Sequence, residues 1–170
     1  MSKVDQRKTK KARSGKPREW EHFTDPANST GALSRIAFRR FARALESRTL
    51  PHGVSSGQWR FLRELWLEDG ITQRELSGRV FMREPTTVVA LRSLEKSGFV
   101  RRERDQKDRR RIRVYLTDEA KKLHDKLLPY VAEVNAIAGK GLSRSEIETA
   151  HHVLRVMAEN LAVEATKEEE

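Results

Sequence analysis

The sequence predicts a mainly α chain with one small β-wing, and three observations carry this. Apolar residues recur at helical spacing over most of the chain, with capping signals at the starts of the runs. Strict alternation appears only once, over residues 111–116. The chain's net charge of +10 is concentrated in two short segments. Residues 1–19 carry +6 and residues 101–113 carry +5, which leaves the remainder close to neutral at −1.

The N-terminal 1–19 segment, rich in Lys, Arg and Ser and without apolar periodicity, reads as a disordered basic arm, and 20–170 as a single domain. Leu33, Ile36, Ala37, Phe41, Ala44 and Leu45 lie at helical spacing, so a first helix is expected over about 29–48, ended by Pro51 and Gly53. Ser55 and Gln58 have the spacing of a capping box before a second helix with Trp59, Leu62, Leu65 and Trp66 on one face, which stops at Asp69-Gly70. Thr72 and Glu75 repeat that signal before a short helix to Arg79. Pro85 then stands at a first helical position, opening a helix that closes at Ser97-Gly98. Two short helices joined by a turn over Val80 to Glu84 form a helix-turn-helix.

In the second of these helices Thr87, Ala90, Leu91 and Leu94 form the inward stripe, leaving Pro85, Val88, Val89, Arg92 and Lys96 on or near the other side. Val88 and Val89 have two readings, packing into the core or facing a ligand. Ile112, Val114 and Leu116 alternate with Arg111, Arg113 and Tyr115 as in a half-buried strand. Paired with Phe99 to Arg104 across Asp105 to Arg110, that strand makes a basic hairpin, a wing. Thr117 caps a further helix with Leu123, Leu127, Val131, Val134 and Ala138 on one face and Pro129 as a potential kink. Ser143 with Glu146, and Leu142 with Ile147 as a hydrophobic staple, start a last helix through Ala150, Leu154, Met157 and Leu161. The winged helix-turn-helix spans about 55–116, flanked by N- and C-terminal helices at about 29–48 and 117–164 whose apolar faces have no partner inside so small a module and would be buried by pairing with a second chain, as dimerisation helices.

This order of elements resembles the MarR family of bacterial transcription regulators over about residues 30–162. The residues that carry the resemblance are Leu76, Glu84-Pro85-Thr86-Thr87, Leu94 through Val100, and Asp108-Arg109-Arg110 followed by Leu116-Thr117. The resemblance implies an obligate homodimer that presents two winged modules to double-stranded DNA, with a pseudo-palindromic operator. It makes Arg110 the residue that enters the minor groove and gives Asp108 the task of pairing with an arginine to hold the hairpin in shape. Many family members have a polar residue or an arginine at Val88 and Val89. Their absence here leaves direct readout to thymine methyl contacts or to Arg83 and Arg92.

The DNA-binding residues expected are Arg83, Pro85, Thr86, Val89, Arg92, Lys107, Asp108, Arg109 and Arg110. An effector pocket for a small aromatic acid or acyl thioester, also implied by the resemblance, would draw on Trp20, His22, Phe23, Arg35, Arg39, Phe41, Arg43 and Trp66. Each of these has an ordinary alternative, the rings as core and the arginines as surface.

No cofactor, metal site or enzyme activity is expected. The chain has no cysteine, which excludes disulfides and peroxide sensing through a thiol, and it has no Gly-rich phosphate loop, nucleophile elbow or H-E-x-x-H. His151 and His152 are adjacent on a helix and diverge by about 100°. With no membrane segment and no apolar signal region, the expected setting is the bacterial cytoplasm, on the nucleoid. The function expected is that of a ligand-responsive repressor. The competing readings are a nonspecific architectural DNA-binding protein and a protein-interaction module with incidental basic segments.

Overall fold

The computed structural model describes Asp25 and residues 29–167, with side chains as far as Val163. The 1–19 arm and Trp20, His22 and Phe23 lie outside the described residues. The elements run α1 (Thr30–Thr49), a 3-10 turn (Leu50–His52), α2 (Ser56–Leu67), α3 (Gln73–Arg79), α4 (Glu84–Lys96), β1 (Val100–Arg104), β2 (Ile112–Leu116), α5 (Asp118–Ala138) and α6 (Arg144–Lys167). The chain divides into two units, 1–39 and 40–170, with the boundary inside α1. In the first unit, Ser29 caps the start of α1: its hydroxyl accepts from the Ala32 N–H at 3.4 Å and its carbonyl from Leu33 N–H at 2.9 Å.

The second unit is organised by local signals that agree with its long-range packing. Both capping boxes form: Ser55 with Gln58 at α2 and Thr72 with Glu75 at α3. The Glu75 carboxylate accepts from the Thr72 N–H and hydroxyl, both at 2.7 Å, and these bonds, the N–H first, hold its pKa below the ordinary range. Phe61, Leu62 and Leu65 of α2, Leu76 of α3, Leu91 and Leu94 of α4, Val114 of β2 and Leu127 of α5 meet in one core. Phe61 was not among the expected residues of α2, whereas Trp59 and Trp66 are only partly buried against that core. The inward side of α2 is therefore rotated toward position 61. The Trp66 indole N–H donates to the Ala120 carbonyl at 2.9 Å, which ties α2 to α5 and contributes about 1 kcal/mol.

The strands pair antiparallel with Val100 opposite Leu116 and Arg104 opposite Ile112. A third stretch lines the other edge of β2: Gly70 N–H donates to Val114 O at 3.0 Å and Val114 N–H to Ile71 O at 2.9 Å. Asp69 Oδ1 accepts from the Leu116 N–H at 2.8 Å. The hairpin is thereby fixed to the loop between α2 and α3.

Several expectations need correction. Pro85 occupies the second position of α4, because Arg83 is the N-cap and Glu84 begins the helix. Val114 and Leu116 are buried but Ile112 is exposed, since its partner Arg104 lies at the outer end of the hairpin, beyond the core. In α5 Leu123, Leu127 and Val134 are buried while Ala138 is exposed, and the helix continues through Pro129. Ser143 and Glu146 form their box at the start of α6, with the Glu146 N–H on the Ser143 hydroxyl at 3.2 Å. The staple does not close: Leu142 is exposed, and Ile147 lies instead against Gly139. Among the described residues, Ala150, Leu154, Met157 and Leu161 of α6 are all exposed.

Candidate nucleic-acid interface

α4 buries one stripe and offers the other. Thr87, Leu91 and Leu94 are fully buried, whereas Pro85, Thr86, Arg92 and Lys96 are exposed and Val89 is 65% exposed. Val88 is half-buried, so the two valines that the sequence left open have different surroundings. The N-terminus of α4 is chemically distinct from its neighbours. At α2, α3 and α5 a serine or threonine caps the first turn, but Arg83 makes no side-chain cap bond at α4. The first-turn N–H groups thus keep their capacity for an anion. Glu84 opposes that polarity from the same turn, with the exposed Arg74 guanidinium 4.0 Å away.

Ser97 and Gly98 lead from α4 straight into the wing, Gly98 in the left-handed conformation at φ 74°. Phe99 N–H donates to Leu94 O at 3.0 Å, and Arg102 of β1 pairs with Glu95 of α4 at 2.6 Å. That guanidinium bond keeps the Glu95 carboxyl below its usual pKa.

The wing loop is built around Asp105, a residue that sequence reasoning passed over. Its Oδ1 accepts from the N–H of Lys107 at 2.7 Å and of Asp108 at 3.0 Å, and its Oδ2 from Arg113 Nε. The Arg113 guanidinium also donates to Gly70 O at 2.7 Å. The Asp108 N–H, then Arg113, then the Lys107 N–H lower the Asp105 pKa from 3.8 to about 2. The available signal was an acidic residue opening a turn, the Asx pattern. Asp108, which had been singled out, is more exposed. Its carboxylate accepts from the Arg110 N–H at 3.1 Å and lies 3.6 Å from Arg110 Nε and 3.4 Å from Arg111 Nε.

The cations of the 101–113 segment therefore divide. Arg102 and Arg113 are held by Glu95 and Asp105. Arg101 contacts Glu103 and lies 4.6 Å over the Tyr115 ring. Lys107, Arg109 and Arg110 project from the loop, the Arg110 side chain being 96% exposed.

The residues proposed for an effector are dispersed in kind. Arg35 and Arg39 are exposed on α1 in the first unit. In the second unit Phe41 is exposed and Arg43 exposed on α1, while Trp66 meets Trp59 and His124 edge-on at 5.4 and 5.3 Å between ring centroids. Trp66 also lines a recess with Leu65, Asp69, Leu116, Lys121 and His124, none of which had been expected there.

Comparison with known proteins places this arrangement. A model of the MarR family matches residues 54–112, from the start of α2 to the wing. A MarR transcriptional regulator from Methanosarcina mazei Go1 is 33% identical and superposes with a TM-score of 0.72 over 76% of this chain and 94% of that one. The chain belongs to the MarR family. A second MarR-fold structure, the PcaV transcriptional regulator from Streptomyces coelicolor solved with its natural ligand, is 27% identical with a TM-score of 0.69, covering 79% of this chain and 95% of PcaV. The HTH-type transcriptional regulator TtmR of Methylorubrum extorquens is 36% identical over 91 residues, 54% of this chain. The chain spans about half of that relative, 47% of its length. These MarR relatives are transcription regulators. Among the described residues no helix is long and apolar enough to cross a membrane.

Proposed function

We propose that this MarR-family chain is a sequence-specific DNA-binding repressor that acts as a homodimer on a pseudo-palindromic operator. The observation that carries this is the union of α4, exposed and without a side-chain cap, with a hairpin whose Lys107, Arg109 and Arg110 point away from the body. α4 would enter a major groove about 12 Å wide, with Thr86, Val89 and Arg92 toward the bases and Arg83 near the backbone, while Arg110 would enter the adjacent minor groove.

Dimerisation is supported by apolar residues left in solvent on α1, α5 and α6, among them Leu33, Phe41, Ile137, Leu154 and Leu161. A two-fold pair would set the half-sites about one helical turn apart or a multiple of it. Effector release is supported by PcaV, a relative solved with its natural ligand. The chemical class proposed is a small, aromatic carboxylate or acyl thioester.

A mobility-shift titration of the full chain against the DNA upstream of its own gene, with a random duplex as competitor, tests the reading. Specific binding should exceed random binding by at least about 10³-fold. Arg110→Ala should weaken operator binding and lower the salt slope by about one. Equal affinity for both duplexes would establish the architectural alternative, and no binding at low salt would leave only a protein-interaction module.

A further inference from the structure

We propose that Val89 reads thymine methyl groups, so that this regulator recognises its operator in part by an apolar contact in the major groove. The inference rests on the placement of α4 in that groove, and the structure narrows what α4 can do there. Pro85, Val89, Arg92 and Lys96 form one exposed stripe at the i, i+4, i+7, i+11 spacing of a helix face. At its centre is Val89, 65% exposed, while Val88 turns toward the core with the fully buried Thr87 and Leu91 beside it.

A valine has no advantage at such a site in the free protein. Its helix propensity is below that of most residues, and the exposed isopropyl group gains no packing. It can neither donate nor accept a hydrogen bond, so no base edge engages it by polar readout. The apolar feature that a duplex offers there is the C5-methyl of thymine. The flanking residues suit this assignment: Arg92 lies one turn beyond and Thr86 one turn before, both exposed and able to hold phosphate or a neighbouring base. Burying one methyl against Val89 is equivalent to about a fourfold change in affinity.

The test uses the full chain and a duplex enriched by it from a random-sequence pool. Each thymine of the enriched half-site is replaced in turn by deoxyuridine, which removes the methyl and nothing else. One position per half-site should lose about fourfold in affinity. Replacing that thymine·adenine pair with cytosine·guanine should lose at least as much, and 5-methylcytosine should restore about fourfold relative to cytosine. In Val89→Ala, whose exposed position leaves folding intact by thermal melt, the deoxyuridine effect should vanish.

Deoxyuridine that is neutral at every position, or a fourfold loss that persists in Val89→Ala, would overturn methyl reading while leaving specific DNA binding in place. Failure to enrich any duplex would overturn the DNA-binding reading itself, and this inference with it.

Discussion

At the scale of single residues, Asp105 and Phe81 show two ways in which a turn is set. Asp105 holds the wing loop through two backbone N–H groups and the Arg113 guanidinium, and its pKa falls to about 2 from 3.8. Because the folded value lies below the ordinary one, the stability it lends is complete above about pH 4 and is lost as the pH falls toward 2. Asp105→Asn should therefore flatten the dependence of stability on pH across that interval. Denaturation midpoints at pH 4, 3 and 2 would show it, and parallel curves for the two proteins would refute the assignment. Phe81 lies in the turn between α3 and α4 with φ 52° and is 96% exposed. A side chain in the left-handed region costs about 1–2 kcal/mol, which glycine does not incur. Phe81→Gly should stabilise the chain by about 1 kcal/mol, raising the thermal midpoint by about 2–4 °C. A lowered midpoint would mean that the ring packs against something in the assembled protein.

At the scale of elements, what could be read from the sequence was what is encoded within one helical turn. The boxes at Ser55, Thr72 and Ser143 were legible because both partners lie three residues apart. The alternation of Val114 and Leu116 gave the wing strand for the same local reason. Features that depend on a distant partner were not legible. Asp105 finds Arg113 only when the hairpin closes, and the inward turn of Phe61 depends on elements that follow it in the chain. Val88 and Val89 differ by one residue, about 100° of helix, and only the packed core decides which is covered.

The junction between α2 and the wing offers a further test. Gly70 has φ 77°, and a Cβ there would lie 2.6 Å from Cε1 of Tyr115. Gly70→Ala combines left-handed strain with displacement of that ring, and should destabilise the protein by about 1–3 kcal/mol in chemical denaturation. A loss of under about 0.5 kcal/mol would refute both the left-handed strain at Gly70 and the steric conflict with Tyr115.

At the scale of the whole molecule, the total charge was a poor guide and its distribution a good one. Of the chain's +10, part of the wing's share is spent internally, since Arg102 and Arg113 are paired with Glu95 and Asp105. What projects is a small set of cations at the loop. The apolar stripe of α6 was evident in the sequence, but among the described residues it stays exposed. If a second copy covers it, Leu154→Glu with Leu161→Glu should convert a species of twice 19.7 kDa into one of 19.7 kDa by light scattering. It should also weaken operator binding, since each half-site would then be held alone. An unchanged mass would place the dimer contact elsewhere.

The shape of the wing is fixed by Asp105, Arg113 and Gly70 O, whereas the side chains that project are those of Lys107, Arg109 and Arg110. Form and cargo are encoded at different positions. Mutation can therefore exchange the tip residues without refolding the hairpin that carries them. The wing is a mount whose fitting can be changed through single-residue steps.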